Sequence, residues 1–401
     1  MLFIQNIQGS LVAMYKTVIN FDDVSFPLQV EDLYNGKVHD GQYDVLVFIG
    51  RFAPLHRGHM AVIDVALKKA KKVILLVGSS FRSRTERHPF TFDERKLMIR
   101  AAYPAVSAEK LAILPLRDAT YRDAIWGSMV RAAVKNEILE TINAGCGTFW
   151  PNGTNDAKVG LIGCEKDHTS YYLKKFPEWG SVGVKFINPL NATDIRNAYF
   201  IGGEHWENVK KSNHLHPNVV EILDDLRGSD GFEYVMNEIK FNRNHAKMWA
   251  NSPYTPSFNT ADSMVVQSGH VLLVRRKSFP GMGLLALPGG YKNPDETLFQ
   301  TAIRELREET KIKVPEKVLR GSMIHNQVFD DPHRSGRGQI VTQAYLFQLE
   351  DMEELPRVKG SDDAEKAFWM PLEDLKEEDF FEDHYHIIQV LKGYLEDKRF
   401  S

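Results

Sequence analysis

The sequence predicts an α/β N-terminal domain built on a doubly wound parallel sheet, followed by an α+β sandwich. Three observations carry this. At 401 residues the chain exceeds what one hydrophobic core usually supports. Apolar, β-branched runs at 45–49, 73–77, 111–114, 159–162 and 184–187 alternate with helical stretches, the rhythm of βαβ units whose ligands lie at the carboxyl ends of the strands. From Phe258 the texture changes to strands at 263–267, 270–275, 284–287, 321–329, 340–349 and 367–370, with one amphipathic helix among them.

The domain limits follow from the breaks. Residues 43–226 form the first domain. Arg227-Gly-Ser-Asp-Gly231 interrupts it, and 232–249 reads as a connecting helix stopped by Asn251-Ser-Pro253 and Pro256, so 227–257 is helix and linker. The second domain is 258–401. Residues 1–42 are an N-terminal extension to which the sequence assigns no role.

Hydrophobic residues make up 43% and charged residues 26%, ordinary for a globular chain. The formal charge of -3 gives no global reason to expect nucleic acid or membrane. Cys146 and Cys164, the only cysteines, lack a paired-spacing motif, which points to a reducing compartment without structural zinc. No run is long enough to span a bilayer, and the N-terminus lacks a basic lead, so a cytoplasmic location is expected. A homo-oligomer is compatible with all of this.

In the first domain the strand ending at Gly50 leads into Arg51-Phe-Ala-Pro-Leu-His-Arg-Gly-His59 and then a helical run. His56 and His59 therefore sit at a strand-to-helix junction, where unpaired N–H groups and the helix dipole favour anions. Gly58 leaves room for a phosphate to approach the backbone. A lone histidine is as often structural, so the whole string carries the signal. Thr91 with Glu94 reads as a capping box. Arg95 also suits a surface pair on its own helix, Asp118 a chain turn, Trp126 the core and Thr193 an N-cap.

In the second domain Gly290 is followed by Glu296 and, after seven residues, by Arg304-Glu-Leu-Arg-Glu-Glu309. At about 100° per residue Glu305, Glu308 and Glu309 share one helix face, while Phe299, Ala302, Ile303 and Leu306 form the adjoining apolar stripe. Such carboxylates repel one another unless a hard divalent cation neutralises them; the alternative is a solvated acidic face.

These strings resemble two families. Gly290 to Ile312 is similar to a Nudix box, complete except that Lys311 stands where that family has a helix-ending glycine, which puts the local turn in question. The stretch from Gly50 to His59 resembles the nucleotidyltransferase signature in its nicotinamide mononucleotide (NMN) adenylyltransferase form. Pro89 to Arg95, Asp118 with Trp126, and Asn191 to Arg196 resemble later segments of that family, Asn191 replacing the usual serine. Together, from about Tyr43 onward, the chain resembles bifunctional NMN adenylyltransferase/Nudix ADP-ribose pyrophosphatases.

The resemblance implies a nucleotidyltransferase-type first domain, in which His56, His59 and Arg196 act in catalysis. Gly50, Arg51, Phe52, Gly58, Arg95 and Thr193 would bind ATP, and Asp118 and Trp126 the mononucleotide. It implies a Nudix second domain with Glu305, Glu308 and Glu309 as ligands for Mg²⁺, Mn²⁺ being an alternative, and Glu308 as the catalytic member. Gly290, Glu296 and Arg304 support the box, and Arg334 and Arg337 would meet ADP-ribose. The partners are then small molecules: ATP, NMN and ADP-ribose. A silent, sensing domain, another phosphate acceptor or another nucleoside diphosphate derivative stay open. The acidic loop 362–365 is a candidate source of a general base, or a solvated turn.

Overall fold

A computed structural model describes residues 43–143, 157–164, 175–184 and 191–395. The N-terminal extension, Cys146 and the later part of the 184–187 run lie outside these residues, and only the backbone of Cys164 lies within them. The chain forms two compact units. The first takes its described residues from 43–81, 87–118 and 123–233; the second takes 82–86, 119–122 and 234–395.

The first unit centres on five parallel strands, β1 (Tyr43–Gly50), β2 (Ala70–Val77), β3 (Leu111–Pro115), β4 (Val159–Cys164) and β5 (Gly180–Val184), in the order β3-β2-β1-β4-β5. The order reverses between β1 and β4, the switch point where doubly wound sheets open a crevice. Leu46, Val47, Ile74, Leu75 and Leu76 are wholly buried because helices cover both faces. Those helices are α1 (Arg57–Lys69), α2 (Phe92–Ala102), α3 (Asp123–Asn143), α4 (Ala192–Ile201), α5 (Gly203–Lys211) and α6 (Pro217–Leu226). The helical run expected after His59 to extend through Lys72 is cut short: α1 stops at Lys69 and β2 begins at Ala70.

Helix α7 (Asp230–Met248) holds the connecting segment, and the division between the units falls inside it, after Glu233. The second unit is a mixed seven-stranded sheet. Its strands are β6 (Ser257–Gln267), β7 (His270–Arg276), β8 (Leu285–Ala286), β9 (Gly289–Tyr291), β10 (Met323–Phe329), β11 (Gln339–Gln348) and β12 (Ala364–Pro371). The order is β10-β11-β6-β7-β12, with β9 beside β6 and β8 beside β7; the β6–β11 pair is parallel. Residues 321–322 are not strand as expected, since a short helix, α9 (Glu316–Gly321), precedes β10.

Alternation along β6 explains the sandwich. Ala261 and Val265 pack with Ala302, Ile303 and Leu306 of helix α8 (Leu298–Thr310). Met264 and Val266 face the other way, into a cluster with Ile387, Ile388 and Leu391 of helix α10 (His384–Leu391). A period of two thus feeds two helices from one strand. Among the described residues no helix is long and apolar enough to cross a membrane.

Candidate active sites

In the first unit His56 is the N-cap of α1. Its Nδ1 accepts the Gly58 N–H at 3.1 Å, and Nδ1 of His59 accepts the His56 N–H at 3.4 Å. The two rings stack with centroids 3.8 Å apart. A ring nitrogen that accepts carries no proton, so the neutral rings bear theirs on Nε2. Each histidine is therefore a donor at a defined atom. A Cβ on Gly58 would press on the His56 ring.

The expectation of unpaired amides at this junction is corrected. Arg57 N–H donates to His214 O, Gly58 N–H to His56 Nδ1, and His59 N–H to His56 O. The helix end is already capped, by His56 and by the His214 carbonyl, so an anion here meets imidazoles and a dipole, not open N–H groups.

Two residues expected on phosphate have other work. Arg95 is 2% exposed, and its guanidinium donates to the carbonyls of Arg51 and Gly78 at 2.8 Å, Thr91 at 3.1 Å and Ser79 at 3.2 Å. It ties the loops after β1 and β2 to α2. A buried cation is stable there because carbonyl oxygens surround it. The Phe52 ring is buried against Gly50, 5.0 Å from the His59 ring, with its backbone held at φ +49°. It props the imidazole from behind. Arg51, by contrast, is exposed.

Asp118 Oδ1 accepts from both N and Oγ of Ser79 at 3.2 Å, which joins the ends of β2 and β3. Trp126 is half-buried against the α3 side of the core, its ring 6.1 Å from Phe176. The N-cap of α4 is Asn191, not Thr193: its Oδ1 accepts from the N–H groups of Thr193 and Asp194 at 2.9 and 3.0 Å. This accounts for asparagine in a serine position, since both are strong caps. Thr193 Oγ1 is left to accept from Arg196 at 3.1 Å, while Arg196 also donates to Ala53 O at 2.8 Å. Arg196 thereby reaches the loop that carries His56.

In the second unit the capping box of Thr297 and Gln300 opens α8, and Lys311 closes it in a left-handed conformation at φ +50°. The left-handed helix end thus forms with lysine in the glycine position. Arg304 donates to Glu296 through Nε at 3.0 Å and Nη2 at 2.7 Å, and through Nη1 to Glu305 at 2.7 Å and Glu308 at 2.9 Å. These bonds hold the Glu296 carboxyl at about 2. A Cβ on Gly290 would strike the Glu305 carboxylate, so strand β9 lies directly against the acids.

Glu309 has a different partner and accepts the Gly289 N–H at 3.0 Å. Burial, with the charges of Glu305 and Asp262 added, pushes its carboxyl up to about 8. Glu305 is likewise raised, by burial first and then by Glu308 and Asp362. The helix gathers the three glutamates on one face, but among the described residues no three acidic, histidine or cysteine side chains converge as a ready-made metal cage. Two turn toward Arg304 and one toward Gly289. The donor set still fits a hard divalent cation in its chemistry: it is all oxygen, with Arg276 the charge that partly offsets Glu309.

Arg334 is 7% exposed and makes a two-pronged ion pair with Asp383, Nε to Oδ2 at 2.9 Å and Nη2 to Oδ1 at 2.8 Å. Arg337 pairs with Glu382 at 3.0 Å. Both arginines, expected on substrate, are seated on acids far along the chain. The adjacent acids Glu382-Asp383, in a chain segment rich in aromatics, were the available signal.

Comparison with known proteins adds the following. Residues 47–135 match the family described as cytidylyltransferase-like, and residues 258–391 match the NUDIX domain. The nicotinamide/nicotinic acid mononucleotide adenylyltransferase of Acinetobacter baylyi is 36% identical over 162 residues, 40% of this chain and 78% of that one. An ADP-ribose pyrophosphatase of Methanocaldococcus jannaschii is 31% identical over 128 residues, 32% of this chain and 69% of that one. The crystal structure of a bifunctional NMN adenylyltransferase/ADP ribose pyrophosphatase from Francisella tularensis, with AMP and a manganese ion, is 31% identical. It superposes with a TM-score of 0.77 over 88% of this chain and 99% of the other.

Proposed function

Since the chain belongs to the bifunctional family that joins an NMN adenylyltransferase to a Nudix ADP-ribose pyrophosphatase, we propose how its own residues divide the two reactions. The first unit makes NAD. A phosphate oxygen of NMN attacks the α-phosphorus of ATP, the bond to the β-phosphate oxygen breaks, and pyrophosphate leaves. No covalent enzyme intermediate is required, so positioning and charge stabilisation carry the rate.

The observation that carries this reading is the stacked imidazole pair. His56 and His59 would donate from Nε2 to phosphate oxygens at the end of β1. Arg196 brings a positive charge to the same loop through Ala53 and Thr193. Arg51, exposed at the strand end, would meet the polyphosphate. Gly58 keeps the His56 ring at its angle. Arg95, Phe52 and Gly50 serve by positioning, and Asp118 and Trp126 are the groups offered to the mononucleotide.

The second unit hydrolyses the pyrophosphate linkage of ADP-ribose, giving AMP and ribose 5-phosphate. Glu305, Glu308 and Glu309 would hold Mg²⁺ or Mn²⁺; the manganese in the Francisella protein supports this assignment. A bound divalent cation polarises the phosphate and lowers the pKa of a coordinated water. Arg304 orients Glu305 and Glu308 against Glu296, and Gly290 gives them room. Arg337 and the loop around Arg334 face the substrate. We assign 43–226 to the transferase and 258–401 to the hydrolase, with 227–257 between them, except that 82–86 and 119–122 fold with the second unit. A cytoplasmic, nucleic-acid-independent enzyme is the matching setting.

Product analysis tests the whole. With ATP and NMN the purified chain should release NAD and pyrophosphate, and with ADP-ribose and Mg²⁺ it should release AMP. Glu308→Gln should abolish AMP release and leave NAD formation at the wild-type rate. Loss of both activities together would contradict the division of labour.

A further inference from the structure

Two short segments, 82–86 and 119–122, fold as part of the second unit although they lie far upstream of its other residues in the chain. We propose that Tyr121 is a positioning residue for the hydrolase: through Asp383 it holds Arg334 and the loop 330–338 in the shape that receives substrate. This rests on the reading that this loop faces ADP-ribose.

The Tyr121 hydroxyl donates to Asp383 Oδ2 at 2.7 Å, the oxygen that also accepts from Arg334 Nε at 2.9 Å. Asp383 is 1% exposed and Arg334 7%, so neither charge can turn to water when a partner is lost. Buried ion pairs are stable only when their remaining lone pairs and protons are also satisfied. Asp383 receives two bonds from the guanidinium, and the phenol supplies a third from outside the loop.

The same ring grips the base of the loop. It stands edge-on to Phe329, the last residue of β10, with centroids 5.1 Å apart at 74°. Tyr121 thus touches the point where the loop leaves the sheet and, through Asp383, the arginine at its middle. Its backbone sits at φ +69°, a region that bulky side chains avoid. Such a conformation persists only where surrounding contacts hold it.

The other upstream segment repeats the arrangement next door. Arg82 Nη1 donates to the carbonyl of Glu382 and Nη2 to Thr120 Oγ1, both at 2.9 Å, and Ser83 Oγ donates to Phe380 O at 2.8 Å. The side chain of Glu382 in turn carries Arg337 at 3.0 Å and Ser335 at 2.5 Å. Both loop arginines are therefore seated on acids that upstream residues brace.

The alternative is that Tyr121 merely fills core. Tyr121→Phe separates the two, because it keeps the ring against Phe329 and removes only the donor to Asp383. Steady-state kinetics on the full chain with ADP-ribose and Mg²⁺ should show KM raised about tenfold and kcat changed by less than about threefold. NAD formation serves as the internal control and should be unchanged. A variant that melts earlier but keeps the wild-type KM would show a core role and overturn the inference. Arg337→Ala, measured alongside, tests the premise. If Arg337→Ala raises KM and Tyr121→Phe does not, the positioning role alone is overturned. If neither moves KM, the loop is not the substrate surface and the inference falls with that reading.

Discussion

Arg304 and Glu296 meet fork to fork, Nε on Oε2 at 3.0 Å and Nη2 on Oε1 at 2.7 Å, and the third guanidinium nitrogen then spans Glu305 and Glu308. One planar cation fixes three carboxylates at once, which an ammonium group does not reproduce. Arg304→Lys should therefore keep the charge and lose the geometry. We expect kcat/KM for ADP-ribose to fall about 10–100-fold, with the Mg²⁺ concentration for half-maximal rate raised. NAD formation should be unaffected, as read by coupled assay.

His59 is bound on both sides of its ring, by the His56 amide at Nδ1 and by stacking on His56. Its Nε2–H is the group assigned to phosphate. His59→Ala should lower NAD formation by about 10²–10³-fold, the usual effect of deleting one donor to developing charge. Circular dichroism should show the wild-type spectrum. A near-normal rate from the folded variant would remove His59 from the chemistry.

Lys311 ends α8 at φ +50°. A lysine pays about 1–2 kcal/mol for left-handed geometry, and glycine gives back part of that gain through its more flexible unfolded chain. Lys311→Gly should stabilise the second unit by about 0.5–1 kcal/mol. Denaturant unfolding followed on that unit should show a higher midpoint with the same slope, whereas an unchanged midpoint would mean the turn is unstrained.

Glu238 is 4% exposed and accepts from the Gly281 N–H at 2.5 Å; burial, with Glu382 second among the raising causes, lifts its carboxyl above the usual range. For a group raised on folding, the stabilisation is complete below the unfolded value of about 4.3 and is lost as pH rises through the folded value. Glu238→Gln keeps the acceptor and removes the charge. The variant should melt above wild type at pH 7, and the gap should close as pH falls toward 4. A gap independent of pH would place the effect in packing.

Much of both sites was legible because their chemistry lies in short contiguous strings. Gly50 to His59 and Gly290 to Glu309 each sit on one junction or one helix, where spacing fixes which side chains share a face. The capping box at Thr91 and Glu94 was equally local, and forms with bonds of 2.8 and 3.3 Å. Less legible were the acceptors. Spacing does not show that the first amides of α1 are already bonded, that Asn191 rather than Thr193 caps α4, or that Arg95 lies among carbonyls drawn from three loops.

The primary structure alone determined the two fold classes, the alternation of strand and helix, and the clustering of imidazoles and carboxylates, because each depends on periodicity over a few residues. Only the folded chain decided the partners of the buried charges. Arg334 finds Asp383, and Tyr121 joins them from 262 residues away. Removing charge from water demands a matching group in space, and sequence distance places no limit on where that group comes from.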